Sequence, residues 1–368
     1  MKVKYSLKGE NGFIYNGFFY FIASNYPWII GMDIKTYETT LIAVLPNEWG
    51  ELVGQYIMGG CYNKKIVLIP RHGTRIIEYN LSTGKFWYMD IGDMGLNFDH
   101  YVGRQHIRFR SVAQDNEFLW IFPASCHHIL CYNIERRKLD DYTEWYEQLK
   151  QYKWENVTLF GFGKKHKNLI ILPCFQTNAI VVFDIVTSNC EIIRIGNMNN
   201  RFTCVELWND NIFLIDNKNR EIIVWDINQR IILKHHLFPS TIQLDEKFSF
   251  IRFNDYLISD LQVLDDKIIC IVANGDTFWG IDSNGTMKKL MDKPSGESYL
   301  HGCVGDNALF CISQSGSEGI CLEKDGRYKT FSLNILLDSS IVNQFTIEES
   351  YCSSLKEYIG CLTMDTAY

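Results

Sequence analysis

The chain repeats itself. Seven times along 368 residues, an apolar strand-like run, a polar loop and a second apolar or aromatic run lead to an Asp, Asn or Glu. FFYFIASNYPWIIGMDI carries this anchor at Asp33 and KIVLIPRHGTRIIEYNL at Asn80, and later units carry it at Asn133, Asp184, Asp226, Asp282 and Glu323. Successive anchors lie 47, 53, 51, 42, 56 and 41 residues apart. Eleven positions before the anchor stands an apolar residue: Ile22, Ile69, Phe122, Ile215 and Ile271. A fixed short offset inside a variable longer period is what a hairpin core with variable outer loops produces.

The runs are rich in β-branched and aromatic residues, the composition of strands. Asn80-Leu-Ser-Thr-Gly84 and Asp282-Ser-Asn-Gly285 read as tight turns into a fourth strand, FWYMDI or MKKLM. The anchor opens each turn because its side chain can accept bonds from backbone amides ahead of it. A repeat of this length with four strands per unit matches a propeller blade rather than a helical solenoid. The expected fold is all-β, a seven-bladed β-propeller of four-stranded antiparallel blades. Blades are expected at about residues 11–48, 54–92, 108–145, 156–197, 201–238, 256–293 and 300–334, followed by a C-terminal extension, 335–368. One unit, IIVWDINQRIILKHH, resembles the strand end of WD40 repeats through Trp225 and Asp226, although the Gly-His dipeptide of that family is missing. Kelch-type double glycines are absent apart from Gly59-Gly60. The chain thus resembles the seven-bladed propeller superfamily at large, remotely WD40- or kelch-like. That resemblance implies a fold and no particular activity.

With 46% hydrophobic and 14% aromatic residues the chain has ample apolar surface for a core. A formal charge of −7 disfavours general nucleic-acid binding, which needs a basic excess to displace counterions. No run approaches the ~18 apolar residues of a membrane span, and the start has no signal-peptide pattern. The twelve cysteines stand mostly alone in apolar runs, as Cys204, Cys270, Cys311 and Cys321 do, and form no CxxC pair. Reduced thiols, a cytoplasmic setting, a monomer and no cofactor are expected.

Some segments depart from the repeat. Residues 93–107 and 239–255 are longer connections between blades. Trp145, Leu149 and Tyr152 have a short helical spacing. From Thr346 a capping-box pattern precedes an apolar stripe that includes Tyr351, Leu355 and Leu362, predicting a C-terminal helix packed on the ring.

Propellers bind ligands at the end of the axis where the second-to-third-strand loops and the inter-blade connections meet. Arg71, His72, His100, Arg104, His106, Arg108, Arg110, His127 and His128 are expected to gather there around the second and third blades, with Trp49, Tyr101 and Trp28 as aromatic lining. Such a sector suits an anion, since arginine engages carboxylate or phosphate through two hydrogen bonds. Solvated loop charges, or arginines paired with Asp93, Asp99 and Asp115, are the bland alternative. GFGKKHK at 161–167 reads as a basic hairpin turn on the opposite face. The expected function is a non-enzymatic binding or scaffold propeller recognising a peptide, a protein or an anionic small molecule on its loop face. The competing reading is a metal-assisted or histidine-dependent hydrolase or lyase, with His100, His106, His127, His128 and, on a later connection, His301 as the imidazoles. No spacing among them fixes a metal geometry.

Overall fold

Every anchor residue closes the third strand of a four-stranded antiparallel sheet, and there are seven such sheets. In the computed structural model of the chain, the described residues are 2–46, 56–71, 74–92, 109–124, 126–150, 160–175, 177–240, 257–294 and 296–338. The first blade shows the pattern: Gly12–Tyr15, Phe18–Ile22, Trp28–Asp33 and Thr39–Val44 pair in sequence order. The innermost strands of the next six are Tyr56–Tyr62, Phe109–Asp115, Lys164–His166, Cys204–Trp208, Ile258–Leu264 and Tyr299–Gly305. Each touches its neighbour, and Tyr299–Gly305 of blade 7 touches Gly12–Tyr15 of blade 1, so the ring is closed around its axis.

The turn chemistry is the one the anchors call for. Asp33 Oδ1 accepts the backbone N–H of Lys35 and Thr36 at 2.8 and 2.9 Å, and Asp226 Oδ1 accepts those of Asn228 and Gln229 at 2.8 and 2.7 Å. The amides that bond Asp33 hold its carboxyl below the usual aspartate range. Blade 7 differs: Glu323 fills the anchor slot, and Asp325 two residues on accepts the N–H of Arg327. The apolar residues eleven positions earlier lie at the end of the second strand and are buried. Between blades 7 and 1, Phe19, Phe21, Trp28 and Ile30 pack against Phe310, Ile312 and Cys321.

A two-stranded ribbon spans this last seam. Lys2–Ser6 pairs antiparallel with Asn334–Asp338, from Lys2 opposite Asp338 to Ser6 opposite Asn334. The Thr39 hydroxyl of blade 1's outer strand donates to the Asn334 carbonyl. The first and last described strands of the chain therefore pair with each other beside the ring.

One short helix, Glu144–Lys150, follows blade 3 where the spacing predicted one. Its Trp145 is fully buried against Phe160, and the Gln148 amide bridges Ser188 O and Cys190 N of blade 4. The expected C-terminal helix lies outside the described residues. No helix among the described residues is long and apolar enough to cross a membrane.

Candidate functional site

The antiparallel order brings the start of each innermost strand, the second-to-third loops and the end of each outermost strand to one end of the axis. At that end several innermost strands carry a β-bulge. Register shifts fall between Phe109 and Ser111, between Ile258 and Asp260, and between Tyr299 and Gly302. Bulges bend a strand and re-aim the side chains on it. The residues at and beside these bulges include Arg110, Ser259, Asp260 and His301.

Asp260 is almost fully buried, yet it is surrounded by donors. Its Oδ1 accepts the Leu261 N–H at 2.9 Å and the Cys204 thiol at 3.2 Å. Its Oδ2 accepts the Gln262 amide at 2.7 Å and faces His301 Nδ1 at 3.4 Å. Burial alone would raise this carboxyl's pKa; the His301 bond and the charge of Lys164 outweigh it and hold the pKa well below the usual aspartate value. An ionised carboxylate only accepts, so the Nδ1 of His301 carries its proton toward Asp260.

On the adjoining strands Lys164 Nζ meets a Glu206 carboxylate oxygen at 2.8 Å. Burial works against the ammonium, but Glu206 and Asp260 more than compensate and keep the lysine's pKa above its ordinary value. The carboxylates are the hidden members, with side chains 10% exposed for Glu206 and 3% for Asp260; the Lys164 side chain is 27% exposed. The solvent-facing half of the cluster is its positive half.

Aromatic rings complete the wall. The His301 ring stands perpendicular to Phe162 with centroids 4.1 Å apart. The Arg110 guanidinium lies 5.7 Å from the Phe162 ring centre and 4.7 Å from that of Phe175, within cation–π range. Phe162 reaches this position because Gly161 lets the chain press against blade 5. A Cβ at 161 would lie 2.2 Å from the Thr203 carbonyl oxygen, and the Phe162 N–H bonds that same carbonyl at 3.0 Å.

Several of these residues stand elsewhere than their sequence context suggests. GFGKKHK is not a hairpin turn on the far face: 161–163 lead into the innermost strand Lys164–His166, and the turn comes only at Lys167, whose φ is 53°. The glycines that suggested a turn serve close packing instead. His301 belongs to an innermost strand rather than to a connection. Trp28 is core, stacked on Tyr26 at 4.2 Å. Of the residues expected to line the site, Arg71 is buried in an ion pair with Glu10, whose other oxygen accepts the Gln314 amide at 2.6 Å. His127 stacks on Tyr146 at 3.4 Å, while its neighbour His128 bonds Asp141 at 2.9 Å. Trp49, His72, His100, Tyr101, Arg104, His106 and Arg108 lie outside the described residues. Among the described residues, no three His, Cys, Asp or Glu side chains are grouped to hold a metal ion.

No family model matches the chain, and no curated protein matches it by sequence. Solved structures match by shape. Streptogramin B lyase superposes with a TM-score of 0.62 at 9% identity, over 91% of this chain and 98% of that one. The WD40 repeats of RRP9 give 0.57 at 9% identity, over 85% and 91%. BamB from Moraxella catarrhalis gives 0.51 at 10% identity, over 89% and 86%. A lyase and a WD40 domain thus share this architecture at identities that speak for the fold alone: the chain is a seven-bladed β-propeller, with WD40 repeats among its structural neighbours.

Proposed function

We propose that this propeller is a binding or scaffold module that recognises a carboxylate-bearing ligand, a peptide's acidic group or an acidic small molecule, at the loop end of its axis. The observation that carries the reading is the Arg110 guanidinium over the Phe162 and Phe175 rings at that end, with the Lys164 ammonium, two residues along from Phe162, paired to Glu206. A guanidinium set against aromatic faces, together with an ammonium whose counter-carboxylate is the more buried partner, favours an anion joined to an apolar or aromatic portion. The anionic preference expected from sequence is kept, but its described centre moves from blades 2 and 3 toward the axial ends of blades 3, 4 and 7. A cytoplasmic setting belongs to the same reading, supported by ten free cysteines among the described residues, nine of them buried.

The test is calorimetric titration with 4-hydroxybenzoate and with peptides that differ only in a free or amidated C-terminus. Binding of the acidic members, weakened about 10-fold or more by Arg110→Ala and by Lys164→Gln, is the expected result. Equal affinity for amidated and free peptides, and indifference to both substitutions, would refute it.

A further inference from the structure

We infer that His301 is an acid–base group of this site, held in register by Asp260, and that the site hydrolyses acidic carboxylic esters. The inference rests on the proposed recognition of a carboxylate and adds chemistry to it. Its basis is geometric. Asp260 is fixed by five donors from three blades: Leu261 and Gln262 of its own strand, Cys204 of blade 5, and His301 Nδ1 and the Gly302 N–H of blade 7. That fixed acceptor sets the tautomer of His301 by drawing the proton to Nδ1, so the neutral ring presents a lone pair at Nε2. Among the described residues no group bonds Nε2, and the side chain is 15% exposed. The ring plane is held by Phe162. The bulge between Tyr299 and Gly302, which sets the course of this strand at His301, is the kind of irregularity found beside active sites. Gly302 permits it, since a Cβ there would lie 2.5 Å from Leu309 and 3.0 Å from Ile271.

The step balances without a further reactant. Nε2 takes one proton from a water molecule as the water oxygen bonds to the ester carbonyl carbon. The carbonyl oxygen gains negative charge, which the Lys164 ammonium and the Arg110 guanidinium favour. The carbon–alkoxide bond then breaks, and the departing oxygen takes the proton from Nε2–H, which returns the imidazole to its starting form. Asp260 keeps its charge throughout. It is a positioning residue; among the described residues Lys164, Glu206 and the Cys204 and Cys311 thiols interact with it, and Arg110 lies against the Phe162 ring that His301 also touches.

Hydrolysis of 4-acetoxybenzoate and of uncharged phenyl acetate by the whole chain tests this, read as phenol release above the buffer rate. The expected result is turnover with 4-acetoxybenzoate preferred. His301→Ala and His301→Gln should lower kcat/KM by about 100-fold, the alanine variant regaining rate with added imidazole. Asp260→Asn should lower kcat with little change in KM, and unchanged far-ultraviolet dichroism and melting midpoint would show that each variant is folded. No turnover of either ester by the wild-type chain overturns the inference, as does a His301→Gln variant as fast as wild type. If 4-hydroxybenzoate binds while neither ester is cleaved, the acid–base role fails and the recognition site stands. If both esters are cleaved equally through His301, the acid–base role stands and the carboxylate preference fails.

Discussion

His236 sits near the loop end of blade 5's outermost strand, where burial, aided by the Lys234 ammonium, pushes its pKa down from 6.5 to about 4. Between those values the unfolded chain binds a proton that the folded chain refuses. Stability must therefore fall as pH drops from 6.5 to 4 and level off below, by about 3 kcal/mol in full for this group. Urea unfolding across that window should show the loss, and His236→Gln should flatten it; an unchanged slope in the variant would assign the acid sensitivity to other groups. Arg71 was conspicuous in the sequence as a basic loop residue, yet its partner Glu10 lies 61 positions away and left no local sign. Lys164 was hidden for the opposite reason, inside a glycine-and-lysine stretch whose local chemistry spoke for a turn.

At the scale of strands and turns, the fold was legible because each blade spells out its own turn. In blades 1 to 6 the anchor carboxylate or amide at the end of the third strand bonds amides ahead of it, so the anchors mark these blades without reference to one another. The site was less legible, because Arg110, Asp260 and His301 sit at or beside bulges. A bulge is set by how two strands pair, and nothing in SYLHGCVG around His301 announces one. Asn217 illustrates a second device that sequence alone does not declare. Its side-chain amide donates to Ile258 O at 2.7 Å and accepts from Ile258 N at 3.0 Å, acting as one more strand partner between blades 5 and 6. Asn217→Leu leaves both backbone groups buried and unpaired and should cost about 1–3 kcal/mol. Asn217→Asp, which keeps only the acceptor, should lose less; equal losses in a denaturant titration would contradict the pairing.

Across the whole ring, distance in sequence and distance in space part company. Arg110, Phe162, Lys164, Glu206, Asp260 and His301 are drawn from five blades and meet only because the ring closes. The closing seam is backed by the ribbon of Lys2–Ser6 and Asn334–Asp338, and removing residues 2–6 strips Asn334–Asp338 of its partner. The shortened chain should melt at a lower temperature, with faster amide exchange in blades 1 and 7 than in blade 4. Uniform exchange across all blades would mean that the inner-strand contacts alone hold the seam.

The proposed recognition has one location, the loop end of the axis. Amide exchange with and without saturating 4-hydroxybenzoate reads that location directly. Slower exchange is expected in 109–115, 160–166 and 299–305, abolished by Lys164→Gln. Protection confined to outer strands, such as Ile231–Leu237, would place the ligand on the rim and contradict it.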